Sequence, residues 1–404
     1  MFKYSCKSGL FTVCTGPTTS TKYIYNITRE GDHMHIITNV SDLMNALTTV
    51  TRAIAARSAK KIMEGVLIDA SEDEITLTCT DGSLVIQSTI MATVNEPGRI
   101  VLPGRLLAEL VRKLPASEVS IKSDAVYSTQ IKCLTSNSRL TGMNPMEFPE
   151  MNDISDGTMI SVPQNKLKDM INRVVFSIST DESRILLTGC LMEITSSEMR
   201  LVALDGFRLA LQKDKRDYSE SIADGMRRIV IPGRVMNELS KIISDEEATC
   251  DLIFNNTHIK AIFGNSVVSS TLLSGEYIDF RKIVPTEFKT RALVKKSVLA
   301  EAIDRAGLLA REGKSNIIKM QLMENQANIT SHAEQGDVLE VIDIDLQGDP
   351  LEIAFNSKYI ADVIRNIGDE DICMQFNTNV SPCVITKNGG DDYFYLILPV
   401  RVFS

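Results

Sequence analysis

Apolar residues recur at helical spacing in six separate places along this chain. "SDLMNALTTVTRAI" puts Leu43, Ala46, Leu47, Val50 and Ile54 on one face behind Ser41 as a candidate N-cap. "NKLKDMINRVVF" does the same with Leu167, Met170, Ile171, Val174 and Val175. "SVLAEAIDRAGLLA" repeats it with Leu299, Ala302, Ile303 and Ala306 behind Ser297. A second set follows a Pro-Gly-Arg corner, in "IVLPGRLLAEL" (100–110) and "IVIPGRVMNEL" (229–239). There Leu106, Leu107, Leu110, Val111 and Leu114 are the expected core face, opposite Arg105, Glu109, Arg112 and Lys113. A worn third copy, "IAFNSKYIADV" (353–363), replaces Pro-Gly by Asn356-Ser357, which still supplies N-cap chemistry. Between these segments lie short alternating runs, "EITLTCT", "EMRLVAL", "VVSSTLL" and "DICMQF", which read as antiparallel strands. Asp81-Gly82 and Asp205-Gly206 mark hairpin turns between such runs.

The spacing of these features sets the architecture. The first helix of each kind starts at 41, 165 and 297, the corners lie 129 apart, and the Asp-Gly turns lie 124 apart. Three landmarks in one register predict three tandem similar α+β domains, each with two helices and antiparallel sheets. The expected divisions are an N-terminal extension at 1–33, then domains at 34–158, 159–288 and 289–404. Residues 1–33 lack both periodicity and the apolar run of a signal peptide, and are expected to be a disordered or non-native addition.

Composition sharpens this picture through charge. The chain of 404 residues carries 43 Lys and Arg against 52 Asp and Glu, a net charge of −9. Over the windows 41–57, 103–114, 165–176, 232–243, 297–311 and 356–367, however, positive residues exceed negative ones by 7. The remainder therefore carries −16. Lys and Arg are good helix formers on any solvated face; if the six helices share one surface, that surface is a track for phosphates without base-reading groups. The eight cysteines form no CxxC pair, as expected of reduced, buried thiols. No apolar run is long enough for a membrane helix. Four scattered histidines, no phosphate loop and no nucleophile motif leave no catalytic residue, metal site or cofactor to propose. The acidic clusters Asp369-Glu370-Asp371 and Asp391-Asp392 read as solvated turns.

In order and spacing, "LPGRLLAELVRKLP", "EFPEM", "LTGCLMEI", "LVALDGFRLAL", "IPGRVMNELSKI", "SGEYIDFRKIVP" and "YLILPVR" resemble the bacterial DNA polymerase III β subunit family, the sliding clamps, over Met34 to Val402. The resemblance implies a head-to-tail homodimer closed into a ring around duplex DNA, a non-enzymatic processivity factor of the cytoplasm and nucleoid. It implies a DNA-facing set of Arg57, Arg105, Lys166, Lys168, Arg173 and Arg234. It also implies a hydrophobic cleft for short linear motifs of the replicative polymerase, the clamp loader, other polymerases and repair proteins. Carried over by position, that cleft comprises Leu187, Leu204, Gly206, Phe207, Arg208, Leu209, Ile278, Lys282, Ile283 and Pro382, then Leu396, Leu398, Pro399, Val400, Arg401 and Val402. Leu204 and Phe207 replace the Thr and His of many members and make that edge more apolar. Two other readings compete: a non-ring tandem-domain DNA-binding or scaffold protein, and an enzyme using an unrecognised carboxylate site.

Overall fold

Burial with a period of two builds the strands: Leu84–Met91 and Ser266–Thr271 alternate buried and half-buried positions before an exposed last residue, as sheets with one face on a core do. The computed structural model describes residues 33–401 apart from 56, 57, 59, 151–153, 155, 223, 224, 314 and 315. Of the expected extension only His33 is included, and Arg57 and Val402 lie outside the described residues.

Among the described residues, six α-helices form three pairs: α1 (Val40–Val50) with α2 (Gly104–Arg112), α3 (Gln164–Asn172) with α4 (Gly233–Ile242), and α5 (Lys296–Glu312) with α6 (Ser357–Asn366). Ser41 and Ser297 do not cap their helices; each sits at the second helical position. The preceding strands run straight into the helices, so neighbouring backbone satisfies the first orphan N–H groups. Val40 N donates to Ser117 O at 3.0 Å, Gln164 N to Ala248 O at 2.8 Å and Lys296 N to Glu370 O at 2.7 Å. Asn356 does cap α6, accepting from Lys358 N at 3.0 Å.

The Pro-Gly corners also work differently from a turn signal. Pro103 and Pro232 close a strand and serve as N-caps. Their glycines are needed for close approach: a Cβ on Gly104 would lie 2.4 Å from Ile54 Cδ1, and one on Gly233 2.7 Å from Thr188 O.

The sheets ignore the unit boundaries. An eight-stranded sheet joins the first and second units where Ser266–Thr271 pairs with Leu84–Met91. A nine-stranded sheet joins the second and third where Tyr393–Ile397 pairs with Arg208–Lys215. The first unit's five-stranded sheet ends on Ser136–Thr141, and the third unit's four-stranded sheet ends on Gly336–Asp343. The cysteines described are free and buried; burial pushes the Cys190 and Cys250 thiols up to about 12.

The helix pairs line up as one layer. Arg52, just after α1, pairs with Glu238 of α4 at 3.2 Å, and Arg234 of α4 pairs with Asp81 of the first unit. Burial works to raise the Glu238 carboxyl, but hydrogen bonds from Lys241 and Arg52, with their charges, hold it below the ordinary range. A depressed carboxylate contributes stability above its unfolded value of about 4.3 and loses it as pH falls through the folded value. Melting followed from pH 7 to pH 3 should therefore drop steeply below about pH 4.5, and Glu238→Gln should make that drop shallower. An unchanged profile in the variant would remove this seam from the acid response.

Candidate functional site

Two surfaces need description, the helix layer and the seam between the second and third units. Two side-chain ties connect the pairs: Arg52, in the turn after α1, reaches Glu238 of α4, and Arg208, on the strand Arg208–Lys215, joins Phe176 O behind α3 to Asp362 on α6. The helices thus follow in the order α2, α1, α4, α3, α6, α5.

The helices are less basic than their sequence windows. Within the observed bounds they hold eleven Lys or Arg against eight Asp or Glu, an excess of 3 instead of 7. The helices end early, leaving Arg52, Lys113 and Arg173 in the turns behind them.

The five described DNA-track candidates are spread along this layer, and each has a partner. Arg105 donates to Ala55 O at 3.2 Å. Lys166 lies 3.9 Å from Asp214, and Lys168 lies 3.0 Å from Asp245. Arg173 holds Asp169 at 2.7 Å and is mostly buried beside Gly368 in the second seam. Burial opposes its charge, but the Asp169 carboxylate more than compensates and raises its pKa. Arg234 is committed to Asp81. By contrast, exposed Arg112, Lys113, Arg311 and Lys358 have no carboxylate partner among the described residues. The charge count contained all four, but periodicity does not reveal which cations are already paired.

The other surface is the seam. The strands Glu198–Leu204 and Arg208–Lys215 meet at Asp205-Gly206-Phe207. Asp205 Oδ1 accepts from Phe207 N at 2.8 Å and Arg208 N at 2.9 Å, and Gly206 takes φ +95°. That turn presents Phe207 at 53% exposure. The third unit's chain end is tied to the same corner: Leu398 N donates to Phe207 O at 2.8 Å, and Val400 N to Ala354 O at 2.8 Å.

Leu187, Leu204, Leu209 and Leu396 are buried together in one apolar cluster with Tyr277, Phe280 and Val384. Above this floor Phe207, Ile278, Ile283 and Leu398 remain 38–53% exposed. Pro382, Pro399 and Val400 are half-buried, Lys282 and Arg401 are exposed, and Val400 and Arg401 line a separate hollow with Lys319, Glu352 and Val380. The seam therefore has a buried aliphatic floor and an apolar rim, the anatomy of a site for an extended peptide.

Arg208 lines the hollow beside Phe207 and Tyr359 and is also tied to both sides of the seam. Its side chain is 8% exposed and donates to Asp205 at 3.1 Å, Asp362 at 2.7 Å and Phe176 O at 2.7 Å. Its guanidinium also lies over the Phe176 and Tyr359 rings at 5.2 and 4.8 Å. Tyr359 stacks on Phe207 at 5.6 Å, and the sequence reading missed it. Its segment was legible only as a worn helix copy, with nothing local to pair it with a residue 152 positions earlier.

The chain matches the family models of the DNA polymerase III beta subunit in order: the N-terminal domain at 34–152, the central domain at 161–279 and the C-terminal domain at 281–401. The beta sliding clamp of Bacillus subtilis (strain 168) is 34% identical over 372 residues, covering 89% of this chain and 98% of that protein. The beta sliding clamp of Staphylococcus aureus (strain Mu50 / ATCC 700699) is 33% identical over 368 residues, covering 88% and 96%. Among solved structures, the DNA polymerase sliding clamp from Bacillus subtilis superposes with a TM-score of 0.89 at 33% identity, covering 92% of this chain and 100% of that one. The beta subunit from Thermotoga maritima superposes with a TM-score of 0.85 at 26% identity, again covering 92% and 100%. With three domain models in register along one continuous helix layer, this chain belongs to the DNA polymerase III beta subunit family, the sliding clamps.

Proposed function

We propose that two copies of this chain close head to tail around duplex DNA and hold replication proteins to it through the seam between the second and third units. The observation that carries the ring is a pair of unspent edges. At each internal junction, one unit's strand pairs with the last strand of the next, and a side chain from beside its first helix ties to the next unit's second helix. By that rule the third unit offers Gly336–Asp343 and α5, and the first offers Ser136–Thr141 and α2, as unspent ends. One copy cannot join its own ends within this row; two copies close heterologously and leave neither of these two edges unpaired. The five- and four-stranded sheets then merge across the join.

The activity is topological, not catalytic. A closed ring stays on DNA without gripping it, so partly neutralised, sequence-independent cations on the helix layer suit sliding. Exposed apolar residues at the two ends of the row, Leu106 on α2 at 52% and Leu308 on α5 at 59%, fit the join. Leu106 was expected in the core; within one chain α2 is the last helix of the row and nothing covers it. These unspent edges favour a ring over a non-ring scaffold. The test is retention of loaded protein on nicked circular DNA before and after linearisation. It should persist on circles and run off free ends within minutes; equal residence on both would exclude encirclement.

The seam receives short linear motifs of the replicative polymerase, the clamp loader, other polymerases and repair proteins, with an apolar side chain anchored over Leu204, Leu209 and Leu396. Leu398→Ala with Pro399→Ala should weaken a labelled motif peptide by about tenfold or more, the order expected for losing one hot-spot contact. The solution mass should not change. Peptide affinity equal to wild type would place the site elsewhere.

A further inference from the structure

The backbone frame of this seam occurs a second time, at the junction of the first and second units. Asp81 Oδ1 accepts from Ser83 N and Leu84 N at 2.8 Å each, and Gly82 takes φ +99°, matching the Asp205 turn. Thr271 N donates to Ser83 O at 3.1 Å, as Leu398 N does to Phe207 O. Leu273 N donates to Val230 O at 2.9 Å, as Val400 N does to Ala354 O. The strand registers agree: Ser270 stands opposite Leu84 as Ile397 stands opposite Arg208.

The side chains on this frame differ in kind. In register, Thr80 replaces Leu204, Ser83 replaces Phe207, Ser269 replaces Leu396, Thr271 replaces Leu398 and His258 replaces Pro382. Thr80 is buried but satisfied, with Oγ1 donating to Leu84 O at 2.9 Å and accepting from Gly82 N at 3.0 Å. The groove encloses only about 80 Å³ and is lined largely by these hydroxyls with Glu150. An anchoring Leu or Phe would find only Val85 and Pro149 as apolar lining and would desolvate hydroxyl groups on entry.

We infer that the exchange of Leu204, Phe207, Leu396 and Leu398 for Thr80, Ser83, Ser269 and Thr271, on a shared backbone frame, is what confines apolar motif binding to one junction per chain. The inference rests on the peptide-tethering reading above and adds the residues that decide where the peptide goes. Two such sites, instead of four, then face the partners of each dimer.

The probe is a fluorescein-labelled synthetic peptide beginning with Gln and ending in Leu and Phe, titrated to saturation against the full-length dimer. Wild type should take up one peptide per chain. Ser83→Phe with Thr271→Leu changes two exposed positions and should add a second, weaker site, moving the stoichiometry toward two. Adding Thr80→Leu should strengthen that site further, at the cost of two hydrogen bonds. The reciprocal set Leu204→Thr, Phe207→Ser and Leu398→Thr should lower wild-type affinity more than tenfold. A folded Ser83→Phe/Thr271→Leu dimer that still binds one peptide per chain overturns the inference alone. An unaffected reciprocal variant overturns the tethering reading beneath it.

Discussion

Arg208→Ala should loosen the seam between the second and third units by about 3 kcal/mol, roughly a hundredfold in the local opening equilibrium. The guanidinium is 8% exposed and spends its donors on Asp205, Asp362 and Phe176 O. Removing one member of a buried charge network leaves its partners unpaired, which costs about 3–5 kcal/mol. The low end applies here, because Asp362 keeps Arg365 at 3.8 Å and Asp205 keeps two backbone N–H groups. Hydrogen exchange along Tyr393–Ile397 should report the change, since that strand crosses the seam. Arg208→Lys keeps the charge but cannot satisfy three acceptors while lying flat on two rings, so it should fall between. Exchange protection unchanged in Arg208→Ala would mean that strand pairing alone holds the units together. Because Asp205 and Phe207 form the same turn, the variant should also weaken motif peptides, coupling the helix layer to the cleft rim.

The second large effect concerns the ring join. Leu308→Asp combined with Leu339→Asp should convert a dimer into a monomer, read as a halving of the mass in solution. Leu308 is 59% exposed on α5 and Leu339 is 62% exposed on the edge strand Gly336–Asp343. The two elements are already fastened to each other: Arg305, one turn before Leu308, takes both oxygens of Glu340 at 2.9 and 2.7 Å. Burying two new carboxylates in the join, where the other copy would bring Leu106 on α2, is strongly unfavourable, whereas on the isolated chain both face water. The melting of the variant's own core should therefore change little. A variant that remains dimeric would show that the copies meet through another surface, and loss of retention on circular DNA should accompany the monomer.

Much of this protein is legible from local chemistry. Three repeats, six amphipathic helices and the Asp-Gly hairpins follow from periods of 3.6 and 2 and from turn residues, because each depends only on near neighbours. Leu187, Leu204, Leu209 and Leu396, named from the family resemblance and not from any local pattern, are buried in one cluster. Helix starts were less legible. Ser41 and Ser297 have the right chemistry for caps, but each helix starts one residue earlier, where the N–H of Val40 or Lys296 bonds a loop carbonyl.

What only the tertiary structure decided is which groups are already spent. Arg208 and Asp362 are 154 positions apart, Arg234 and Asp81 are 153 apart, and no periodicity links them. Arg208 reads as a cleft wall by resemblance, and its part as a buried tie between two units shows only in the structure. Leu106 reads as core and proves to be exposed at the end of the helix row. Composition and period record whether a face is apolar or charged. Whether that face is covered, paired or left open depends on contacts between residues far apart in the chain, and these are set when the three units stack.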